Sequence, residues 1–172
     1  MRKIIFILAI LTVLLVACQK APEVMEKKET PAQPAPATST ITAPSGEMPK
    51  FQGKLLAGTA TPYYEFNKAD YELALKTKHY VVLYFYANWC PICKAEQPNT
   101  FAAFDELQRA DMVGFRVNYR DSETDADEED LAKQFGVSYQ HTKVVLKDGV
   151  RILKAPDSWD KQRYLDELGA IQ

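Results

Sequence analysis

Seven apolar or aromatic side chains stand in succession from Val81 to Ala87, "VVLYFYA", with no charged or amide residue among them. A strand of this kind is covered on both faces, as the central strands of parallel sheets are. Layers must then lie on either side of it, and the flanking segments can supply them. "YYEF", Tyr63 to Phe66, reads as a short strand after Pro62. Asn67 is placed to cap a helix that has Asp70 in its first turn and Tyr71, Ala74 and Leu75 on one face. A second helix is expected from near Cys90 to Ala110, with Phe101, Phe104 and Leu107 inward. "VGFRVN", Val113 to Asn118, alternates with Val113, Phe115 and Val117 inward. Strand, helix and strand of these lengths make a right-handed parallel crossover. A short helix with Leu131 and Phe135 follows, then "KVVLKDGVRILK", two strands about the hairpin signal Asp148-Gly149. A last helix, expected from near Asp157 or Ser158, carries Trp159, Tyr164, Leu165 and Leu168. The order β α β α β α β β α predicts an α/β fold, a central mixed β-sheet flanked by helices.

The turn out of the central strand reads "ANWCPICKAEQP", residues 87–98, and holds two of the chain's three cysteines, Cys90 and Cys93. Such a pair can be a structural staple, part of a metal site or a working redox couple. A disulfide across two intervening residues closes a very small loop and removes little entropy from the unfolded chain, so it is a poor staple. A zinc ribbon needs a second cysteine pair, which the chain lacks. Cys90 falls just after the central strand, where the next helix begins. Sites in open α/β sheets form beyond the carboxyl ends of strands. A helix N-terminus offers free N–H groups and partial positive charge, which favour a thiolate over a thiol. The thiolate is the attacking species in disulfide exchange. Cys90 is therefore expected to be the exposed nucleophile. Cys93, one turn further and more buried, is expected to resolve the mixed disulfide. Pro91 suits a first helical turn, where its missing N–H costs nothing.

The compartment bears on what these thiols can do. Arg2 and Lys3 precede an apolar run from Ile4 to Val16, interrupted by Thr12. That is the pattern of an export signal and is short of the roughly 20 residues of a membrane span. The run ends in "LVAC", Leu15 to Cys18, which resembles the lipobox of bacterial lipoproteins. The resemblance implies cleavage before Cys18 and a lipid on its sulfur, leaving Cys90 and Cys93 to answer to each other. An oxidising exterior favours a disulfide between them. Residues 19 to about 50 hold Pro22, Pro31, Pro34, Pro36, Pro44 and Pro49 among Ala, Thr and Ser, with no apolar period. They read as a tether, and about 35 flexible residues span roughly 30–35 Å. The expected organisation is a signal peptide at 1–17, a lipidated cysteine and tether at 18–54, and one domain at 55–172. Removing Arg2 and Lys3 from the 21 basic side chains leaves 19 against 23 acidic ones. That balance gives no support for nucleic-acid binding, which usually shows a basic patch.

The domain resembles the thioredoxin family over nearly its whole length. The element order matches, as does "WCxxCK" after an apolar strand, Trp89 to Lys94. Pro98, five residues after Cys93, matches the family's helix-kinking proline, and "FGVSYQHTKVVLKDG" parallels without gaps the family's segment into the next hairpin. The resemblance implies thiol–disulfide exchange with protein thiols and disulfides and with a redox partner. It implies no cofactor, a Cys90–Cys93 redox disulfide, and active-site support or substrate contact from Trp89, Pro91, Ile92, Gln140, His141 and Thr142. The domain is expected to act as a monomer, outside the cytoplasmic membrane and anchored to it by lipid.

Several residues depart from the family. Its buried acid below the second cysteine aligns with Tyr84, a poor base at neutral pH, read here as core packing. The dipeptide between the cysteines is Pro91-Ile92, where thioredoxin has Gly-Pro, so no redox potential carries over. "DSETDADEED", Asp121 to Asp130, lacks the glycine and closing glutamate of a calcium loop and reads as a solvated acidic run heading a helix. His79, in "KTKHY", reads as an exposed loop residue. His141 takes the place of the family's cis-proline, beside the two sulfurs. It can stabilise a thiolate, hold substrate backbone, fill the proline's space, or complete a site for a soft metal such as copper(I) with Cys90 and Cys93. Exchange is the leading reading. A copper-binding or delivery module is the alternative, and an adaptor with vestigial redox activity a third, opposed by Trp89 and the intact pair.

Overall fold

The computed structural model describes residues 50–172. The expected signal peptide, Cys18 and almost all of the tether lie outside the described residues. The elements are β1 (Leu55–Ala57), β2 (Tyr63–Glu65), α1 (Lys68–Thr77), β3 (Tyr80–Tyr86), α2 (Pro91–Glu106), β4 (Met112–Asn118), α3 (Ala126–Gln134), β5 (Thr142–Lys147), β6 (Val150–Ala155) and α4 (Lys161–Ala170). They build one six-stranded sheet in the order β1-β2-β4-β3-β5-β6. β3 is parallel to β4 and antiparallel to β5, β2 is parallel to β4, and the edge strands β1 and β6 are antiparallel to their neighbours. The fold is the expected mixed sheet flanked by helices.

The run that predicts a doubly covered strand is β3, and all seven of its residues are buried. Val81, Leu83 and Phe85 join a cluster with Tyr71 and Ala74 of α1 and Leu131 and Ala132 of α3. Tyr80, Val82, Tyr84 and Tyr86 join the opposite cluster, with Phe104 of α2 and Tyr164 and Leu168 of α4. The helices therefore sit two on each face. Gly114 of β4 lies beside Val82 and Tyr63 in register. A Cβ there would meet the Phe104 and Tyr63 rings at 2.5 Å. Those two rings stack at 4.6 Å between centroids, so the missing side chain is what lets α2 settle on the sheet.

Local signals place the ends. Asn67 caps α1 by accepting from the Asp70 N–H. Asp125 and Glu128 form a reciprocal capping box on α3. Asp148 and Gly149, both at positive φ, make the two-residue turn between β5 and β6, and His79, exposed as expected, pairs with Asp148 at 2.7 Å.

Four expectations change. β1 is an additional strand; it is three residues long with Leu55 exposed, too short to show a period. Phe51 packs against the α1–α3 cluster, and the Gln52 and Gly53 N–H groups bond the Asp70 carboxylate, so ordered contacts begin ahead of residue 55. α2 stops at Glu106 and not Ala110, because the chain turns at Leu107 to place Thr61 Oγ1 against the Leu107 carbonyl at 3.0 Å. α4 starts at Lys161, capped by Asp160, and Trp159 lies ahead of it because its N–H is drawn to the Glu96 carboxylate.

Candidate functional site

Cys90 is the N-cap of α2 and Pro91 occupies the first turn. The Cys90 sulfur accepts from the Cys93 N–H at 3.2 Å, which satisfies a helix-start donor and brings the two residues together. Both cysteines are free thiols. Cys90 is not the exposed residue expected: it is 1 % exposed and Cys93 0 %. The capping bond turns the Cys90 side chain back over the first turn of the helix. What the surface presents instead is Trp89, Ile92 and Tyr139, each about half exposed, with Pro91 exposed and Gln140 partly so.

Two loops wall the site. On one side the Trp89 Nε1–H donates to the Arg120 carbonyl at 2.9 Å, and the Asn88 N–H to Asp121 Oδ2 at 2.8 Å. On the other, the Thr142 hydroxyl donates to the Tyr139 carbonyl at 2.8 Å, and His141 is held at φ +52°. Ligand atoms of Cys90, Cys93 and His141 all lie within 4.8 Å of one another. Burial, followed by the nearby Lys143 ammonium, lowers the His141 ring's pKa below the usual value. The shift favours the neutral ring, which can donate or accept a hydrogen bond. Its Nδ1 is buried without a hydrogen-bond partner.

Below Cys93 lies a buried polar cluster that the sequence reading missed. Glu96, one turn on from Cys93, is 3 % exposed, and Lys143 of β5 is 0 % exposed. Lys143 Nζ meets Glu96 Oε1 at 2.6 Å and also donates to the His141 carbonyl at 3.1 Å and to the Asp157 carbonyl. Glu96 Oε1 further accepts from the Tyr164 hydroxyl at 2.7 Å and the Trp159 N–H at 3.0 Å, while Oε2 accepts from the Tyr84 hydroxyl at 3.2 Å. The rings of Trp159, Tyr84 and Tyr164 surround the ammonium at 5.0, 5.3 and 5.7 Å. Every donor of Lys143 thus has a partner, the condition under which a buried ion pair is tolerated. Burial lowers the Lys143 ammonium below its ordinary value, with Glu96 opposing. Two cues in the sequence pointed here: a lone lysine at the head of the apolar run "KVVL", and an acid three residues after the inner cysteine.

Tyr84 is buried, as core packing requires, but its hydroxyl has work beyond packing. It reaches both the Cys93 sulfur and Glu96. Burial first, and then the Glu96 charge, pushes this hydroxyl above its usual pKa and keeps it a proton donor. Burial likewise raises the Cys93 thiol to about 11, so Cys93 is protonated at neutral pH. The arrangement offers a capped sulfur at the helix start, a buried thiol one turn in, and a hydroxyl leading from that thiol to a carboxylate.

The acidic run also differs from a purely solvated one. Asp125 caps α3, but Glu128 is buried and accepts from the Asn118 and Asp125 N–H groups.

The family model described as Thioredoxin matches residues 62–168. No curated protein matches the chain. Among solved structures, thioredoxin from Aeropyrum pernix is 19% identical over 70% of this chain and 94% of its own, with a TM-score of 0.53. Thioredoxin O2 from Arabidopsis thaliana, in its oxidised state, is 18% identical over 67% of this chain and 98% of its own, at 0.52. Trxlp from Edwardsiella tarda is 21% identical over 59% of this chain and 94% of its own, at 0.50. At these identities the structures share the fold, and the family match spans the strand, the cysteine pair and the hairpin. The chain belongs to the thioredoxin family, and thiol–disulfide redox chemistry is the function that its fold and paired cysteines support.

Proposed function

We propose that the protein exchanges disulfides with protein substrates outside the cytoplasmic membrane, with Cys90 attacking and Cys93 resolving. The observation that carries the assignment of roles is the Cys93 N–H bond to the Cys90 sulfur at the helix start. The Cys90 thiolate attacks one sulfur of a substrate disulfide, and the other sulfur leaves as a thiolate that takes up a proton. Cys93 then passes its proton through the Tyr84 hydroxyl towards Glu96 and attacks the Cys90 sulfur. The substrate's second sulfur leaves as a thiolate that takes up a proton from solvent, and the protein keeps the disulfide. Run backwards, the same steps oxidise a substrate dithiol. Trp89, Ile92 and Tyr139 form an apolar rim suited to an extended polypeptide, whose approach must part the walls over Cys90. The export pattern and Cys18 in "LVAC" support a lipid-anchored domain on the outer side of that membrane.

The test is a trapping experiment. Cys93→Ser is expected to accumulate mixed disulfides through Cys90, and Cys90→Ser to form none. Trapping by Cys90→Ser alone would reverse the roles. Cys18→Ala is expected to abolish labelling by radioactive fatty acid while leaving insulin reduction intact. The potential of the Cys90–Cys93 couple sets the direction: near about −270 mV it reduces substrates, and near about −120 mV it oxidises them.

A further inference from the structure

We propose that the reduced pair and His141 form a three-coordinate site for a soft monovalent cation, copper(I), open only while the cysteines are dithiol. Three observations converge on it. The ligand atoms of Cys90, Cys93 and His141 are already grouped within 4.8 Å, the one such cluster among the described residues. They come from three separately fixed positions: the N-cap of α2, its first turn, and the residue before β5. The imidazole also has a buried Nδ1 that no protein group satisfies, so the ring is held in place with bonding capacity unused.

The donor set selects the metal. Two thiolates and one imidazole are soft or borderline ligands, suited to copper(I) and zinc. Zinc requires a fourth ligand, from protein or water. The buried carboxylate one turn on from Cys93, Glu96, is already engaged by Lys143, Tyr84, Tyr164 and Trp159. Calcium and magnesium need an oxygen cage that this site does not offer. A low-coordinate d¹⁰ monovalent ion fits, and the burial of both sulfurs keeps water from the remaining positions. A Cu⁺ ion on two thiolates and a neutral ring leaves the site with one net negative charge. The Lys143 ammonium, bonded to the His141 carbonyl, sits close enough to offset it.

Loading displaces the two thiol protons and moves no electrons. Closing the disulfide removes two electrons from the same sulfurs, which pass to the substrate disulfide that is reduced, and it leaves no thiolate to bind. Metal occupancy and disulfide are therefore mutually exclusive states of one pair. Binding itself does not depend on the exchange activity proposed above; only the release by a substrate disulfide rests on that reading.

The test uses the full-length chain carrying Cys18→Ala, so that no third thiol contributes. The reduced protein is titrated without oxygen against copper(I) held by excess bicinchoninate. It is expected to withdraw one equivalent, and after oxidation by diamide to withdraw none. His141→Ala, and His141→Asn, whose side chain tolerates the positive φ, should each weaken binding at least about tenfold, since even supporting groups around a metal cost ~10–100-fold when lost. Cys93→Ser should do the same. Binding by both His141 variants as tight as in the parent chain, equal binding by the oxidised protein, or tighter retention of zinc than of copper(I) would each overturn the proposal. Failure of insulin reduction with copper binding intact would count against the exchange reading alone.

Discussion

Along β3 the side chains divide into two environments: Val81, Leu83 and Phe85 face α1 and α3, and Tyr80, Val82, Tyr84 and Tyr86 face α2 and α4. The first face closes almost entirely with hydrocarbon and aromatic rings, and the carboxylates beside it accept from local N–H groups: Asp70 from Gln52, Gly53 and the Asn67 side chain, Glu128 from Asn118 and Asp125. The second encloses an ion pair, five tyrosines, of which Tyr84 and Tyr164 turn their hydroxyls to Glu96, and both cysteines. One face packs its helices on the sheet almost wholly through apolar burial. The other gives up part of that apolar contact for groups that can move a proton, and it stays stable because each buried charge is satisfied. The contrast explains why the cysteines open onto the α2–α4 side: a buried thiol needs somewhere to send its proton.

The comparison can be broken at the ion pair first. Glu96→Leu leaves the Lys143 ammonium buried and unpaired, and is expected to cost about 3–5 kcal/mol in urea unfolding. The double change Glu96→Leu with Lys143→Leu should regain most of that stability while still slowing release of the mixed disulfide. A single change no worse than a surface substitution would show that the pair is not truly dry. On the other face, Leu83→Ala should cost a comparable ~2–5 kcal/mol through the cavity it leaves, yet leave the exchange rate of the folded fraction unaltered.

A finer contrast lies in single hydroxyls and carboxylates. Tyr84→Phe removes the hydroxyl's bond to Glu96, about 1 kcal/mol of stability, together with its contact to the Cys93 sulfur. Between Cys90→Ser and Cys90→Ser with Tyr84→Phe, the alkylation midpoint of Cys93 should also move upward, since Tyr84 is one of the groups that lower it. An unchanged midpoint would remove Tyr84 from the proton path. The smallest effect concerns Glu128, whose carboxyl burial raises from 4.5 to about 7. A raised folded pKa stabilises the protonated form, so this contribution is present below about 4.5 and is lost as pH rises through about 7. Glu128→Gln should flatten that part of the stability–pH curve, as followed by thermal melts in steps between those values.

Much of this was legible in the sequence because it depends on period and punctuation. The unbroken run at β3, the Asn67 cap, the Asp148-Gly149 turn and the cysteines at a helix start are all written in neighbouring residues. The polar cluster is not, because Glu96 and Lys143 are 47 positions apart and each alone resembles a surface charge. Only the register that sets Tyr84 opposite Lys143 brings them together under Cys93. A helix start usually faces solvent, which makes Cys90 look exposed in the sequence; its sulfur instead turns inward to the Cys93 N–H. β1 and the late start of α4 were lost for a similar reason, since a three-residue strand has no period and Trp159 is fixed by a distant carboxylate.

The absence of a side chain at Gly114 has a consequence for how the site can move. With Phe104 and Tyr63 pressed against that backbone, α2 can neither sink further nor slide without driving a ring into the sheet. The helix is a fixed floor. If a substrate sulfur is to reach Cys90, as the exchange proposal requires, the displacement must come from the walls, residues 119–124 and 139–142. These are latched by the Trp89–Arg120, Asn88–Asp121 and Thr142–Tyr139 bonds, which can open one at a time. On the exchange reading proposed above, the helix that carries both cysteines thus stays in place while the entrance over them opens and shuts.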